Sequence, residues 1–211
     1  MDRRPGAGDA VRMNCILRPV LLAAAGVAAL GSVTPASADF AAGMEAARRG
    51  DFAVAVQEWT PLAKAGDAQA QVNLALMFEL GASVDQDYEQ SAHWYGLAAE
   101  QGDAGAQYHL GLHYQSGLGV AQDSVRAVAL FQQSADQAHP GAMYELGYAF
   151  HEGDGRPKDL VQAMAWFIAS AARGWSPSVP ARNFTERQLT DDELTKADGL
   201  AAAWLTDHPR P

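Results

Sequence analysis

Cysteine is almost absent from this sequence of 211 residues, and its one cysteine, Cys15, lies near the amino terminus. From residue 39 onward the chain has none, which excludes a disulfide framework, a thiol nucleophile and a cysteine-ligated metal site there. Basic residues are also scarce. The chain has 25 acidic and 15 basic residues, and residues 1–38 contain two of the acidic and four of the basic ones. The remainder therefore has 23 acidic and 11 basic residues and a formal net charge of −12. The electrostatic field of a negatively charged protein repels phosphate groups, so we expect neither nucleic acid nor anionic lipid as a partner.

The sequence also lacks an apolar run long enough to cross a membrane. The run at residues 20–30 is far shorter than the roughly 20 residues that a transmembrane helix needs. Arginines precede this run, and Ala36-Ser37-Ala38 follows it with the small-x-small pattern that signal peptidase recognises. We therefore predict that residues 1–38 are a signal peptide, that the mature chain begins at Asp39, and that the protein is periplasmic or secreted.

The start and the route of this signal are less closely defined. Met13 to Ala38 forms a complete signal by itself, so Met1 and Met13 both remain candidate starts. Cys15 precedes the apolar run, whereas a lipoprotein cysteine follows it at the cleavage point, so no lipid anchor is implied. The pair Arg3-Arg4 lacks the apolar residues that follow it in twin-arginine signals, which favours the general secretory route.

A period of 36 residues dominates the rest of the chain. Three sets of identical residues recur at this spacing: Leu74, Leu110 and Leu146; Gly81, Gly117 and Gly153; Asp87, Asp123 and Asp159. Self-similarity at a fixed period predicts a stacked array, in which each unit buries its apolar face against its neighbours. We predict three repeats over residues 66–173, an N-terminal helical pair over 39–65, and C-terminal capping helices over 174–211.

Each unit has the pattern of two helices joined by a turn. In the second unit Ala106, Leu110 and Tyr114 fall on one face at spacings of four, which predicts an amphipathic first helix. Gly117 can end this helix because glycine adopts the left-handed conformation without a Cβ clash. Asp123 then predicts the N-cap of a second helix. No stretch alternates with a period of two, so we expect an all-helical chain.

The helix ends carry further signals. Gln90 and Gln162 lie three residues after their aspartates and predict capping boxes. Thr190 and Glu193 predict another, which opens a closing helix with the apolar stripe Ala197, Leu200, Ala201 and Trp204. Upstream, Phe40 to Arg49 predicts a short first helix. Prolines at 177 and 180 predict an irregular helix between residues 174 and 187.

The order of these motifs resembles a known repeat. The second unit reads Ala104 to Gln107, Leu110 to Tyr114, Gly117 to Val120, then Asp123 and Ala135, which is similar to the Sel1-like repeat, a relative of the tetratricopeptide repeat. The resemblance implies an all-α fold, a right-handed α-solenoid of Sel1-like, tetratricopeptide-like helix-turn-helix repeats. It also implies a protein-binding scaffold, since the family includes bacterial envelope adaptors, regulators of sensor kinases and parts of export systems.

The resemblance also indicates where a partner binds. In tetratricopeptide-like stacks the first helices line a concave face, and on this chain the predicted partner-binding positions of that face are Gln69, Val72, Leu76, Glu79, Tyr108, Leu112, Gln115, Tyr144, Tyr148 and His151. Aromatic side chains beside amides suit recognition of an extended segment or a helix. The alternative for Val72, Leu76 and Leu112 is that they only pack adjacent first helices together.

Signals for chemistry are weak. His109 and His113 are four residues apart, a spacing that two metal ligands can use, but Met77 and Ala149 replace His113 in the sister units, which favours packing. A cysteine-rich branch of the resembling family is linked to penicillin binding, so a cell-wall or β-lactam hydrolase is the alternative function. This chain has neither the cysteines nor a Ser-x-x-Lys motif. We predict no enzyme activity, no cofactor and no metal site, and an adaptor or regulator that binds an envelope protein; the partner's identity and the oligomeric state stay open.

Overall fold

The computed structural model describes residues 39–209, and within them the chain forms ten helices and no strand. The helices are α1 (Phe40–Arg49), α2 (Phe52–Lys64), α3 (Ala68–Leu80), α4 (Tyr88–Glu100), α5 (Ala104–Ser116), α6 (Ser124–Asp136), α7 (Pro140–Glu152), α8 (Leu160–Ala172), α9 (Ser178–Glu186) and α10 (Asp191–Asp207). The all-α prediction is confirmed. The predicted signal peptide, residues 1–38, lies outside the described residues.

The helices pack in chain order, as a stacked array requires. Each helix from α1 to α7 packs against the next one, and both α9 and α10 pack against α8. This nearest-neighbour pattern is that of an α-solenoid, in which a unit buries its apolar face only against adjacent units. Between residues 39 and 209, no helix is both long and apolar enough to cross a lipid bilayer.

Glycine ends the first helix of each unit as predicted. Gly117 has φ 69°, and its counterparts at 81 and 153 are also left-handed, with backbone N–H groups that donate to the preceding turn. Two residues later the chain turns back at Gly119, which is left-handed as well and lies against the backbone carbonyl of Tyr88. A side chain at this position would collide with that backbone, so the neighbouring units approach closely only because position 119 is glycine.

Aspartates cap the second helices, but the predicted capping boxes at Gln90 and Gln162 do not form. The Asp87 carboxylate accepts from the Gln90 backbone N–H at 3.0 Å. A capping box would also need a glutamine side chain on the Asp87 N–H, but that N–H already donates to the Phe78 carbonyl at 3.0 Å. In the same way the backbone N–H of Asp159 donates to the carbonyl of Phe150 at 2.9 Å. The contact between the two helices of a unit therefore replaces the local box.

Aromatic side chains fill the space inside each unit. Tyr95, Phe131 and Phe167 are fully buried on the second helices. Gly111 makes room for one of them, since a Cβ at this position would lie 2.5 Å from a ring carbon of Phe131. Gly147 lies against Phe167 in the same way. Small residues on first helices thus let large rings of second helices enter, which brings the two helix axes close together.

The closing helix forms with its predicted cap. The Thr190 hydroxyl and the Glu193 carboxylate make both hydrogen bonds of a capping box at the start of α10. Ala197 and Ala201 are buried, and the Trp204 ring packs 5.8 Å from that of Trp166. Leu200 does not belong to the buried stripe, because 42 % of its surface is exposed. The stripe that covers α8 is therefore narrower than the sequence pattern predicts.

Candidate functional site

The ten predicted partner-binding residues lie on α3, α5 and α7, the first helices of the three units. Gln69 is exposed, and five others keep part of their surface in solvent: Glu79, Leu112, Gln115, Tyr144 and Tyr148. The remaining four are buried: Val72, Leu76, Tyr108 and His151. We call α3, α5, α7 and α9 together the first-helix surface. Its ability to bind a partner remains a prediction.

Tyr108 packs in the core of its unit. It is 4 % exposed, and its ring lies 4.7 Å from the ring of His139 and 6.2 Å from that of Phe131. Gly141 on the next first helix makes this position available, since a Cβ there would lie 3.0 Å from the Tyr108 ring. The glycine at 141 is therefore the sequence signal that Tyr108 is an interior residue, and counting from the repeat motif alone missed it.

An aromatic cavity opens at the carboxyl end of the first-helix surface. Its volume is about 480 Å³, and it lies between α7 and α9 with Phe167 of α8 at its base. The residues that line it are Tyr144, Tyr148, His151, Glu152, Phe167, Ser176, Pro177, Pro180, Ala181, Phe184 and Thr185. The Tyr148 ring contacts those of Tyr144 and Phe167 edge-on, at 4.8 and 5.3 Å.

The residues of α9 that line this cavity were not among the predicted partner-binding residues. Phe184 is 61 % exposed at the rim of the cavity, where its ring lies 5.6 Å from that of His151. His151 is held from two sides, by Glu152 at 2.8 Å and by Gln188 at 3.2 Å. The structure thus adds Pro180, Ala181 and Phe184 to the three predicted residues of α7, and together they form a concave apolar site of the kind that receives ligand side chains.

A polar cluster lies at the opposite end of the first-helix surface, between α3 and α5. The Tyr95 hydroxyl donates to Oε2 of Glu79 at 3.0 Å. The His109 ring stacks on the Tyr95 ring with centroids 4.9 Å apart, and its Nδ1 lies 4.0 Å from the same carboxylate oxygen. Burial raises the pKa of Glu79, and the hydrogen bond from Tyr95 opposes that shift. Burial lowers the pKa of His109 to about 3, so its ring is neutral.

A serine–histidine contact occurs between the first and second units. Ser91 Oγ lies 3.5 Å from Nε2 of His113, and His113 Nδ1 donates to the Leu118 carbonyl at 2.7 Å. A carbonyl can only accept, so Nε2 is left as the acceptor for the serine hydroxyl. Both side chains are almost completely buried, at 0 % and 1 % exposure. A substrate carbonyl has no route to this hydroxyl in the folded chain, so the pair serves packing.

The described residues also offer little to a metal ion. His109 and His113 point to different partners, the first to Glu79 and the second to Ser91 and Leu118. Among residues 39–209, no group of three or more histidine, cysteine, aspartate or glutamate side chains comes together as a ligand set. The two histidines are therefore packed side chains in this structure.

A wider cleft of about 740 Å³ separates the second helices α4 and α6. Its walls combine small residues such as Ala92 and Gly96 with the polar side chains of Glu89, Glu100 and Gln133. Tyr114 and His93 are the two aromatic rings among its lining residues. Aromatic anchors dominate protein recognition, so the smaller aromatic cavity is the stronger candidate for a binding site.

Comparison with known proteins agrees with the repeat pattern. A family model described as Sel1 repeat matches residues 68–103, 104–139 and 140–175, about half of the chain. A Sel1 repeat protein from Oxalobacter formigenes, known as a crystal structure, is 28 % identical over 69 % of this chain, with a TM-score of 0.65. A second crystal structure, c5321, a protective antigen of uropathogenic Escherichia coli strains that displays an SLR fold, is 26 % identical over 79 % of this chain, with a TM-score of 0.51.

These relatives are longer than the matched region. This chain spans 60 % of the first solved chain and 44 % of the second. No curated protein matches the sequence. The comparisons therefore show the repeat and the fold.

Proposed function

The chain belongs to the Sel1 repeat family, and we propose that it is a periplasmic or secreted scaffold that binds another protein of the cell envelope, as an adaptor or regulator. Sel1-repeat scaffolds typically mediate protein–protein interaction and are generally non-catalytic. The proposal adds the location and the binding surface to that general role.

The aromatic cavity between α7 and α9 is the observation that carries the proposal. Tyr144 and Tyr148 are partly exposed, and Phe184 is 61 % exposed, so three rings converge on one concave site open to solvent. Aromatic rings bring a large apolar area to an interface and lose little rotamer entropy. A fold that needed these rings only for packing would bury Phe184, as it buries Phe167.

Two features of the sequence support an envelope location. Residues 1–38 carry the charged, apolar and small-residue regions of a secretory signal in the order that export requires. From residue 39 onward the chain has no cysteine, so it can fold in an oxidising compartment without disulfide pairing. An intact mass measured on chain recovered from the envelope fraction should correspond to a mature protein that starts at Asp39. Retention of residues 1–38 in that fraction would contradict the location.

The binding surface can be tested by site-specific crosslinking in living cells. A photoreactive residue at Phe184 samples the rim of the cavity without disturbing buried packing. A matched probe at Val125, which is 68 % exposed at the start of α6, samples a surface outside the cavity. We expect one protein to be captured through position 184 and not through position 125. Equal capture through both positions would place the interface elsewhere.

Affinity for the captured protein then tests the rings themselves. Replacing Tyr144 and Tyr148 together by alanine should weaken binding by about 2 kcal/mol or more, since aromatic anchors carry most of an interface's energy. Tyr108 stays unchanged in this variant because its ring belongs to the core. Circular dichroism and a urea titration of the double variant verify that the fold survives. Unchanged affinity in a folded double variant would remove the cavity from the interface.

A further inference from the structure

Glu79 is a half-buried carboxylate with no cationic partner in the described part of the chain. Its side chain is 21 % exposed, and the one basic group within 4.0 Å is His109, whose ring is neutral. Between residues 39 and 209, no lysine or arginine pairs with it. Partly buried carboxylates are usually paired, because burial disfavours the charged form unless a cation or several donors compensate.

The two groups that do face Glu79 leave one side of the carboxylate open. Tyr95 is 0 % exposed and supplies one hydrogen bond to Oε2. His109 is 4 % exposed, and its Nδ1, aimed at the same oxygen from 4.0 Å, has no hydrogen-bond partner of its own. Both groups approach Oε2, and no residue between 39 and 209 donates a hydrogen bond to Oε1, which can therefore accept one from a ligand. A buried polar atom without a partner is uncommon in folded proteins and points to a ligand or a bound group.

The fold does not require this polar set. In the second and third units the position of Tyr95 is held by Phe131 and Phe167, which fill the same buried slot without a hydroxyl. The position of Glu79 is held by Gln115 and His151. The repeat thus tolerates other residues at both positions, and Glu79 and Tyr95 of the first unit meet His109 of the second.

We infer that Glu79, Tyr95 and His109 form a recognition site for a basic side chain, arginine or lysine, of a protein segment bound along the first-helix surface. The inference rests on the proposed function, because the basic residue belongs to the partner of the scaffold. The net charge of −12 for residues 39–211 favours the approach of a basic segment. A divalent metal is a poor fit, because it requires more ligands than one carboxylate and one imidazole.

The charge preference can be measured without knowing the partner. In chain labelled with ¹³C-glutamate, the Glu79 carboxyl resonance is identified by its absence from Glu79→Gln, a variant that keeps an acceptor for the Tyr95 hydroxyl. Titration with methylguanidinium chloride should shift this resonance saturably, and methylurea, which is similar in shape but neutral, should not. Sodium chloride at equal ionic strength controls for screening, and the exposed Glu89 carboxyl on α4 serves as internal reference. A Glu79 shift that only parallels that of Glu89 would overturn the inference.

Selection from a random peptide library displayed on phage adds the protein context. On the unaltered chain, the enriched peptides should share a position occupied by arginine or lysine. Glu79→Gln should bind those peptides about tenfold or more weakly, whereas the matched variant Glu89→Gln should bind them as the unaltered chain does. Enriched peptides without a basic position would overturn the inference and leave the scaffold role intact. A saturable carboxyl response with no enriched peptide would support the cation site and count against the first-helix surface as a peptide-binding face.

Discussion

Three histidines are held as neutral rings, of which His109 and His113 are buried and His139 is half-buried. Burial lowers the pKa of His109 to about 3 and that of His139 to about 4, and it also lowers the pKa of His113. His139 uses its neutral form directly, because its Nδ1 accepts the backbone N–H of Ala142 at 3.2 Å and thereby caps α7. Protonation would remove this acceptor. The folded state therefore favours the unprotonated form of each of these rings.

The unfolding free energy should consequently fall as the solution is acidified. An unfolded histidine binds its proton near pH 6.5, whereas folded His109 and His139 stay neutral down to about pH 4, so the unfolded state takes up more protons in this window. We expect each of the two to contribute a loss of roughly 2 kcal/mol between about pH 7 and about pH 4.5. Glu79, with its raised pKa, acts in the opposite direction, because its folded form binds the extra proton.

Urea titrations across that pH range measure this loss. The control is the double variant His109→Asn, His139→Asn. Asparagine occupies the position equivalent to 109 in the first unit, as Asn73, and at position 139 its side-chain oxygen can still cap α7. It should show a flatter dependence on pH, whatever its stability at neutral pH. An unchanged slope in the double variant would show that other groups govern the acid response.

Two helical glycines provide a second test at the scale of single residues. Gly111→Ala should lower the unfolding free energy by about 1 to 3 kcal/mol, because the added methyl group lies 2.5 Å from the fully buried Phe131 ring. Gly96→Ala should raise it by up to about 1 kcal/mol, since nothing lies within 4 Å of that site and alanine favours the helix. Thermal and urea melts of both variants measure the difference. Equal changes in the unfolding free energy for the two variants would mean that the Phe131 ring does not need a glycine at position 111.

At the scale of helices, most boundaries could be predicted from local chemistry. The first helix has the predicted bounds Phe40–Arg49, and Gly117 and Asp123 end and begin their helices as their side chains dictate. These signals depend on contacts within a few residues, which a sequence shows directly. Asp51 differs from the aspartates that cap α4, α6 and α8. It precedes α2, but its side chain makes no cap hydrogen bond and instead lies 3.3 Å from Arg49.

The candidate site was less predictable, because its composition depends on contacts between units. The repeat pattern placed Tyr144 and Tyr148 on a first helix, and the structure finds both beside a cavity. The repeat pattern could not show that Phe184 faces them from α9, since residues 174–187 depart from this pattern and carry two prolines. The burial of Tyr108 depends on Gly141, a residue from the next unit. The partners of Glu79 likewise come from two other helices.

At the scale of the whole molecule, the array is held together by neighbours alone. From α1 to α8 each helix packs on the next one in the chain, and α9 and α10 both cover α8. Such an array has no single central core, so stability is distributed unit by unit. The last unit depends on α10 through the contact of Trp204 with Trp166 and through the hydrogen bond from the Arg173 side chain to the carbonyl of His208.

Truncation of the chain after Gln188 should therefore destabilise the two ends unequally. Without α10 the face of α8 that contacts Trp204 becomes exposed, and we expect the protection free energy of α8 amides to fall by about 2 kcal/mol or more, as for loss of a large apolar side chain. Amides of α3 and α4, several units away, should keep theirs. Native-state hydrogen exchange resolves the helices separately, and full-length Leu200→Ala, altered at an exposed position of α10, serves as control. An equal loss across α3, α4 and α8 would show that the chain unfolds as one indivisible unit, and the nearest-neighbour account of this solenoid would then be wrong.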